Sequence, residues 1–405
     1  MDLIYVDNNA TTRIAPEVLD AMRPYLTDLY ANPSSMYGLA GEVSAGIQTA
    51  RTQVASLLGA DPEEILFTSC GTESDNTAIR AAIQAQPEKR HIVTTRVEHP
   101  AIKNLFEHLS RHGWRVTFVP VDARGHLDLE FLVRNLTPDT AVVSVMWANN
   151  ETGVIFPVEE IAREVTDRGI LFHTDAVQAV GKIPINLKEV PIDMLSLSGH
   201  KLHAPKGIGV LYVRKGTPFA PFLIGGHQER GRRGGTENVA SIIALGKACE
   251  LAQEHLPEEN SRVRGLRDRL ERELRARIPG TIVNGEGADR LPNTTSIGFE
   301  GVEGEAILLM MDQTGICASS GSACTSGSLE PSHVLRAMGV PFSYAHGSIR
   351  FSLSRYNTER EIDTIVEVLP PIIARLRELS PFWNPPEPPG ALQQPEPGGQ
   401  ARIRP

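Results

Sequence analysis

Cysteine is scarce in this sequence, and the scarcity excludes two architectures. Four thiols in 405 residues (Cys70, Cys249, Cys317 and Cys324) give no disulfide framework. The spacing of Cys317 and Cys324 does not suit a zinc knuckle. So few thiols fit a reducing cytoplasm, the expected location. A basic excess is also missing. The formal net charge is −9, which speaks against a nucleic-acid surface. Long apolar runs are absent too: the stretches around 141–148 and 306–311 are too short to span a bilayer. The opening MDLIYVDNNATT has neither the basic nor the apolar region of a signal peptide. No internal repeat is visible.

What is present is an alternation of apolar strands and helical patterns. EILFTSCGTESDN reads as a strand, a tight glycine turn and a helix from Thr72, an arrangement whose free N–H groups favour a phosphate. HIVTTRVEHP reads as a strand ending in His99, AVVSVMWANNETG as one ending in Asn149 and Asn150, and ILFHTDAVQ as one reaching Asp175. Val43, Ile47, Ala50, Val54 and Leu57 recur at helical spacing up to Gly59. Polar residues therefore gather past strand ends, the edge of an open α/β sheet where ligands bind. After about Leu256 the pattern changes to a long amphipathic helix (261–278), short strands and a last helix, which predicts a smaller α+β domain. The predicted units are an N-terminal segment 1–15, a large domain 16–256, a small domain 257–380 and a disordered Pro/Gly-rich tail 381–405.

Five residue types in this pattern can carry chemistry. Lys201, in SGHKLHAPKG, is either a surface amine or a desolvated nucleophile able to form an imine with an aldehyde. Asp175 is either a helix cap or a carboxylate that keeps a pyridine nitrogen protonated. His99 can be a satisfied core residue, or can stack on such a ring and move protons. Arg350, inside the apolar strand HGSIRFSLS, needs an anion, either a structural carboxylate or a substrate's. Cys70, Cys249 and Cys317 read as small core residues. Cys324 differs: the Ser/Gly-rich segment ASSGSACTSGSLEP suits an exposed thiol that can accept sulfur.

Seven motifs, SGHKLHAPKGIGVLY, TDAVQAVGK, SVMWANNETG, CGTESDN, VEHPA, GGHQERGRRGGTEN and SSGSACTSGSLEPSHVLRAMG, together resemble the pyridoxal-phosphate-dependent cysteine desulfurases over about residues 2–383. The cysteine segment and GGTEN look most like the nitrogenase-associated NifS branch. The resemblance implies a fold-type-I transferase of class-V aminotransferase type: a homodimer whose large domain holds a mixed, mostly parallel seven-stranded sheet. It implies that Lys201 holds the cofactor as an imine and later moves the substrate Cα proton. Asp175 would pair with the pyridine nitrogen, Gln178 with the ring hydroxyl, and His99 would stack on the ring. Gly71, Thr72, Ser198 and His200 would hold the phosphate, with Thr236 reaching it from the partner subunit. Asn150 and Arg350 would position L-cysteine. Cys324 would take the sulfur as a persulfide, release alanine and pass the sulfur to a NifU-like iron–sulfur scaffold. No intrinsic metal is implied, although the Cys324 persulfide could transiently ligate a cluster iron. General iron–sulfur supply and, further off, a selenocysteine lyase are the alternatives.

Overall fold

The computed structural model describes residues 3–320, 331–381 and 383. Strands β1 (Ile4–Tyr5), β2 (Ile65–Thr68), β3 (His91–Thr95), β4 (Arg115–Val119), β5 (Thr140–Ser144), β6 (Leu171–Asp175), β7 (Met194–Ser198) and β8 (Gly209–Val213) come first in the chain. β9 (Thr281–Val283), β10 (Thr294–Phe299), β11 (Ile316–Cys317) and β12 (Ser348–Ser352) follow. Among the described residues these form three sheets.

The large sheet runs β2-β8-β7-β6-β5-β3-β4, parallel except for β8, which is antiparallel to both neighbours. Its central strands are buried on both faces, which is why they read as unbroken apolar runs. Alternate residues divide between two cores. Val142, Leu171, Met194 and Leu211 pack with helices Gly71–Gln84 and Pro100–Arg111. Val143, Phe172, Leu195 and Tyr212 face helices Gly38–Leu58, Val158–Thr166 and Val239–Glu258. His173, Asp175, Ser196 and Ser198 share the register of the first set, so they point toward helix Gly71–Gln84.

A third core gathers Ile4 and Val6 with Leu266, Leu270, Leu274, Ile297, Phe351 and Ile365, around the antiparallel sheet β12-β10-β9. β1 pairs in parallel with β11, so the start of the chain joins this later-made core. The amphipathic helix expected over 261–278 is present, but it does not start afresh. Helix Val239–Glu258 passes through a π turn, Glu259–Val263, into helix Arg264–Arg277. Helical backbone thus continues through Leu256, and only its buried face changes partners. No helix among the described residues is long and apolar enough to cross a membrane.

Two strand ends differ from the sequence reading. β3 stops at Thr95, and His99 instead caps helix Pro100–Arg111, its Nδ1 accepting from Ala101 N at 3.2 Å. Pro100 has no N–H to give a ladder and suits the first helical position. β5 stops at Ser144. Asn149 and Asn150 lie in the turn beyond it, where Asn149 Oδ1 accepts from the backbone N of Glu151 and Thr152.

Candidate active site

The edge formed by the C-terminal ends of β6 and β7 opens into a cavity of about 360 Å³. Every described residue expected at the site lines it except Thr236: Gly71, Thr72, His99, Asn150, Asp175, Gln178, Ser198, His200, Lys201 and Arg350. Asn9, Ala10, Cys70, Asp75, Met146 and Val177 complete the wall.

Each side chain arrives there for a local reason. β7 ends at Ser198, and the turn Gly199–Lys201 lifts the lysine off the sheet edge. Lys201 Nζ donates to the carbonyls of Asn9 and Ala10, the second at 2.6 Å. Those carbonyls belong to the segment after β1, which also receives Gln178 Nε2 on Asn9 O at 3.1 Å. His200 turns toward the same segment, with Nδ1 3.2 Å from Thr11 Oγ1. Burial, then the neighbouring Lys201 charge, pushes its pKa down to about 4. The His200 ring is therefore neutral at physiological pH.

Asp175 closes β6, and its Oδ1 accepts from Val177 N at 2.9 Å. Burial raises its pKa, while His99, the Val177 N–H and Lys201 oppose the rise. His99 is pushed the other way by burial and by Lys201, against the pull of Asp175. A cationic ring nitrogen near Asp175 would offset the cost of burying its charge.

Gly71 and Thr72 open helix Gly71–Gln84, so free backbone N–H groups sit at one end of the cavity. A Cβ on Gly71 would lie 2.9 Å from Val177 Cγ2, which leaves this cradle open only to glycine or to a shifted valine. Beside it the Ser198 hydroxyl is buried with no hydrogen-bond partner among the described residues. A buried hydroxyl left unpaired is costly, and an anionic oxygen at the helix end would satisfy it. These groups fit pyridoxal phosphate: an amine for its aldehyde, a carboxylate for its ring nitrogen, and a helix end with a hydroxyl for its phosphate.

Arg350, in β12, finds the structural carboxylate that the sequence left as one alternative, and also faces the cavity. Its Nη2 bonds Asp7 Oδ1 at 2.7 Å and its Nη1 the Asn150 carbonyl at 2.9 Å, while the side chain still lines the cavity. Thr236 is exposed and does not line this chain's cavity. Its segment is anchored nearby by Arg233 on Glu73 (2.9 Å) and by the buried Arg51–Glu229 pair (2.8 Å). Cys324 lies outside the described residues. Of its flanks, Ser319 exchanges backbone hydrogen bonds with Arg350, and Ser332 donates to Glu151.

Two readings are corrected here. Cys317, in β11, is half-buried and not a core residue. Cys70 is not a core residue: it is half-buried, lines the cavity and caps the helix, its Sγ accepting from Glu73 N. Cys249 is fully buried, as expected. Sequence reasoning also passed over Asp75, though CGTESDN contains it one helical turn after Gly71.

Residues 4–365 match the family model described as aminotransferase class-V. The chain belongs to that family. It is 62% identical over 384 residues to a cysteine desulfurase of Trichormus azollae, covering 95% of this chain and 96% of the relative. To the cysteine desulfurase NifS of Azotobacter vinelandii it is 59% identical over 382 residues, covering 94% and 95%. A solved structure of a NifS-like protein superposes with a TM-score of 0.87 at 40% identity, over 93% of this chain and all of that one. Within the family the chain stands among the cysteine desulfurases, enzymes of fold type I that work with pyridoxal phosphate.

Proposed function

We propose that this enzyme removes sulfur from L-cysteine, leaves it as a persulfide on Cys324 and releases L-alanine. The observation that carries the reading is the convergence of Lys201, Asp175, His99 and Arg350 on one cavity. The same reading assigns Lys201, Asp175, Gln178 and His99 to the cofactor's ring side and Gly71, Thr72, Ser198 and His200 to its phosphate. Bound pyridoxal phosphate supplies an electron sink for the substrate's Cα. The rest falls to this chain's own groups. Arg350, oriented by Asp7 and the Asn150 carbonyl, takes the substrate carboxylate. The Lys201 amine, once released, takes the Cα proton, and the neutral His99 ring can receive or return a second one. Cys324 attacks the sulfur as a thiolate while the C–S bond breaks, and the new S–S bond carries the sulfur away.

The same reading makes the enzyme a homodimer, because exposed Thr236 needs a neighbour's cavity to act on. It divides the chain into a large unit, 16–256, that holds the cofactor, and a small one, 257–380, whose Cys324 segment meets it, joined by the N-terminal segment. The sulfur goes to a NifU-like iron–sulfur scaffold for nitrogenase maturation, a reading supported by the name of the Azotobacter relative. Provision for general cluster assembly in the cytoplasm is the second reading, since the same site residues would serve it.

Incubation with L-cysteine should give alanine and protein-bound persulfide in equal amounts on the first turnover. Cys324→Ala should abolish the persulfide and its transfer; full-rate transfer by that variant would refute the assignment. Deleting the gene and measuring nitrogenase against housekeeping iron–sulfur enzymes separates the two destinations.

A further inference from the structure

Three carboxyls are buried together beneath the cavity, and only one has a charge to answer. Asp75 stands one turn into helix Gly71–Gln84 and points at the sheet; it is 1% exposed and lines the cavity. Among the described residues its Oδ1 has no hydrogen-bond partner. The nearest basic group, His173 Nε2, is 3.7 Å away, too long for a hydrogen bond. His173 is already engaged, with Nδ1 at 2.9 Å from Ser144 Oγ and Nε2 at 2.9 Å from Ser196 Oγ. Burial drives its pKa down to about 3, so the ring is neutral and offers Asp75 no counter-charge.

The other groups facing Asp75 are acidic. Asp175 arrives from β6, Glu98 from the segment before helix Pro100–Arg111, and the Cys70 thiol from the cap of helix Gly71–Gln84. Glu98 accepts from Thr95 Oγ1 (2.8 Å) and Met146 N (3.0 Å), yet among the described residues its Oε2 is unpartnered. Among the described residues only Asp175 has a cation beside it, Lys201, with the His99 ring as a second group able to take a proton. Three anions cannot share so small a buried volume, and the charge settles where positive potential exists.

We propose that Asp75 is a positioning residue for Asp175: it keeps its proton, and so leaves Asp175 the one anion on the cavity floor. This rests on the reading that Asp175 answers the cofactor's ring nitrogen. Burial, then the Asp175 charge, holds the Asp75 acid far above the usual carboxylate range, with a Ser196 hydrogen bond opposing. A neutral acid there also fills the space that water would otherwise occupy beside Asp175. Water at that point would screen the Asp175 charge and loosen its hold on a cationic ring.

Infrared spectroscopy of the full chain, with and without pyridoxal phosphate, tests the proton directly. Near neutral pH the parent should show the C=O stretch of buried carboxylic acids. Asp75→Asn should remove one component, and Glu98→Gln a different one. Cofactor affinity, followed by the visible absorbance of the loaded enzyme, tests the role. Asp75→Ala should raise the dissociation constant about tenfold, and Asp75→Asn, neutral and of the same shape, should restore it to within about threefold. The proposal is overturned if Asp75→Asn removes no infrared component, or if it weakens cofactor binding as much as Asp75→Ala. Asp175→Asn is the control for the underlying reading. If it binds cofactor normally while the Asp75 infrared component is present, the ring-nitrogen assignment fails and the Asp75 proton stands.

Discussion

Replacing Arg350 by lysine separates its two contacts, because lysine keeps the charge and loses the fork. The guanidinium spends Nη1 on the Asn150 carbonyl at 2.9 Å and Nη2 on Asp7 at 2.7 Å, and its Nε is buried without a partner among the described residues. A lysine amine can stay near Asp7, but it cannot also keep the Asn150 bond and face a carboxylate in the cavity. The loss is one charge-assisted hydrogen bond to substrate, about 1.5–3 kcal/mol, or roughly ten- to hundredfold in kcat/KM. Because a carboxylate remote from the C–S bond is held alike before and during reaction, the change should fall on KM. The assay is the initial rate of alanine formation against cysteine concentration, with cofactor content read from the visible absorbance. Asp7→Asn severs the structural contact instead. It should lower the thermal midpoint first and raise KM by a smaller factor. A fully loaded Arg350→Lys enzyme with KM within twofold of the parent would refute the assignment of this arginine to substrate.

Three further outcomes follow from the geometry. Ser198→Ala should weaken cofactor binding about tenfold, the worth of a hydrogen bond to a charged group, as equilibrium dialysis would detect. It should not destabilise the cofactor-free chain, because the hydroxyl it removes has no partner among the described residues. Glu98 is raised by burial to about 8, so the folded state holds a proton that the unfolded state has lost. Its contribution to stability is therefore complete below the unfolded value near 4.5 and is lost as pH rises toward 8. Glu98→Gln should flatten that fall and raise the thermal midpoint at pH 8, and an unchanged slope would count against a protonated Glu98. Arg51→Ala takes from buried Glu229 its hydrogen-bonded cation, leaving Phe67 N and the more distant Arg230 and Arg233, and should cost about 3 kcal/mol in urea denaturation. A loss below about 1 kcal/mol would mean that water reaches the pair.

How much of this was legible follows from what each residue contributes. The large sheet could be read because β5, β6 and β7 are buried on both faces and therefore written as continuous apolar runs. Lys201, Asp175 and His99 were legible because reactive side-chain types stood out in the segments that close or follow apolar strands. Asn9 and Ala10 were not, since they act on Lys201 through backbone carbonyls that any residue possesses. Cys70 was misread because a small apolar-looking residue at a strand–helix junction can face core or cavity, and only the packed helix decides. Asp75 required the face of helix Gly71–Gln84 to be known before its burial beside Asp175 could be seen. The ends of β3 and β5 were overrun for a simpler reason: apolar residues past each end extend the strand pattern, and Arg96 N, Val145 N and Trp147 N still bond the neighbouring strand where the regular strand has stopped.

The segment around Asn9 gives the enzyme a schedule as well as a shape. Arg350 and Asp7 stand 343 residues apart in sequence. The Asn9 backbone N is received by the hydroxyl of Ser352, a strand beyond β10. A nascent chain still lacking β12 therefore presents Lys201 without the backing that fixes its neighbours. The cofactor pocket can reach its final form only after nearly all of the chain has left the ribosome, so loading with pyridoxal phosphate belongs to the finished polypeptide and not to its synthesis.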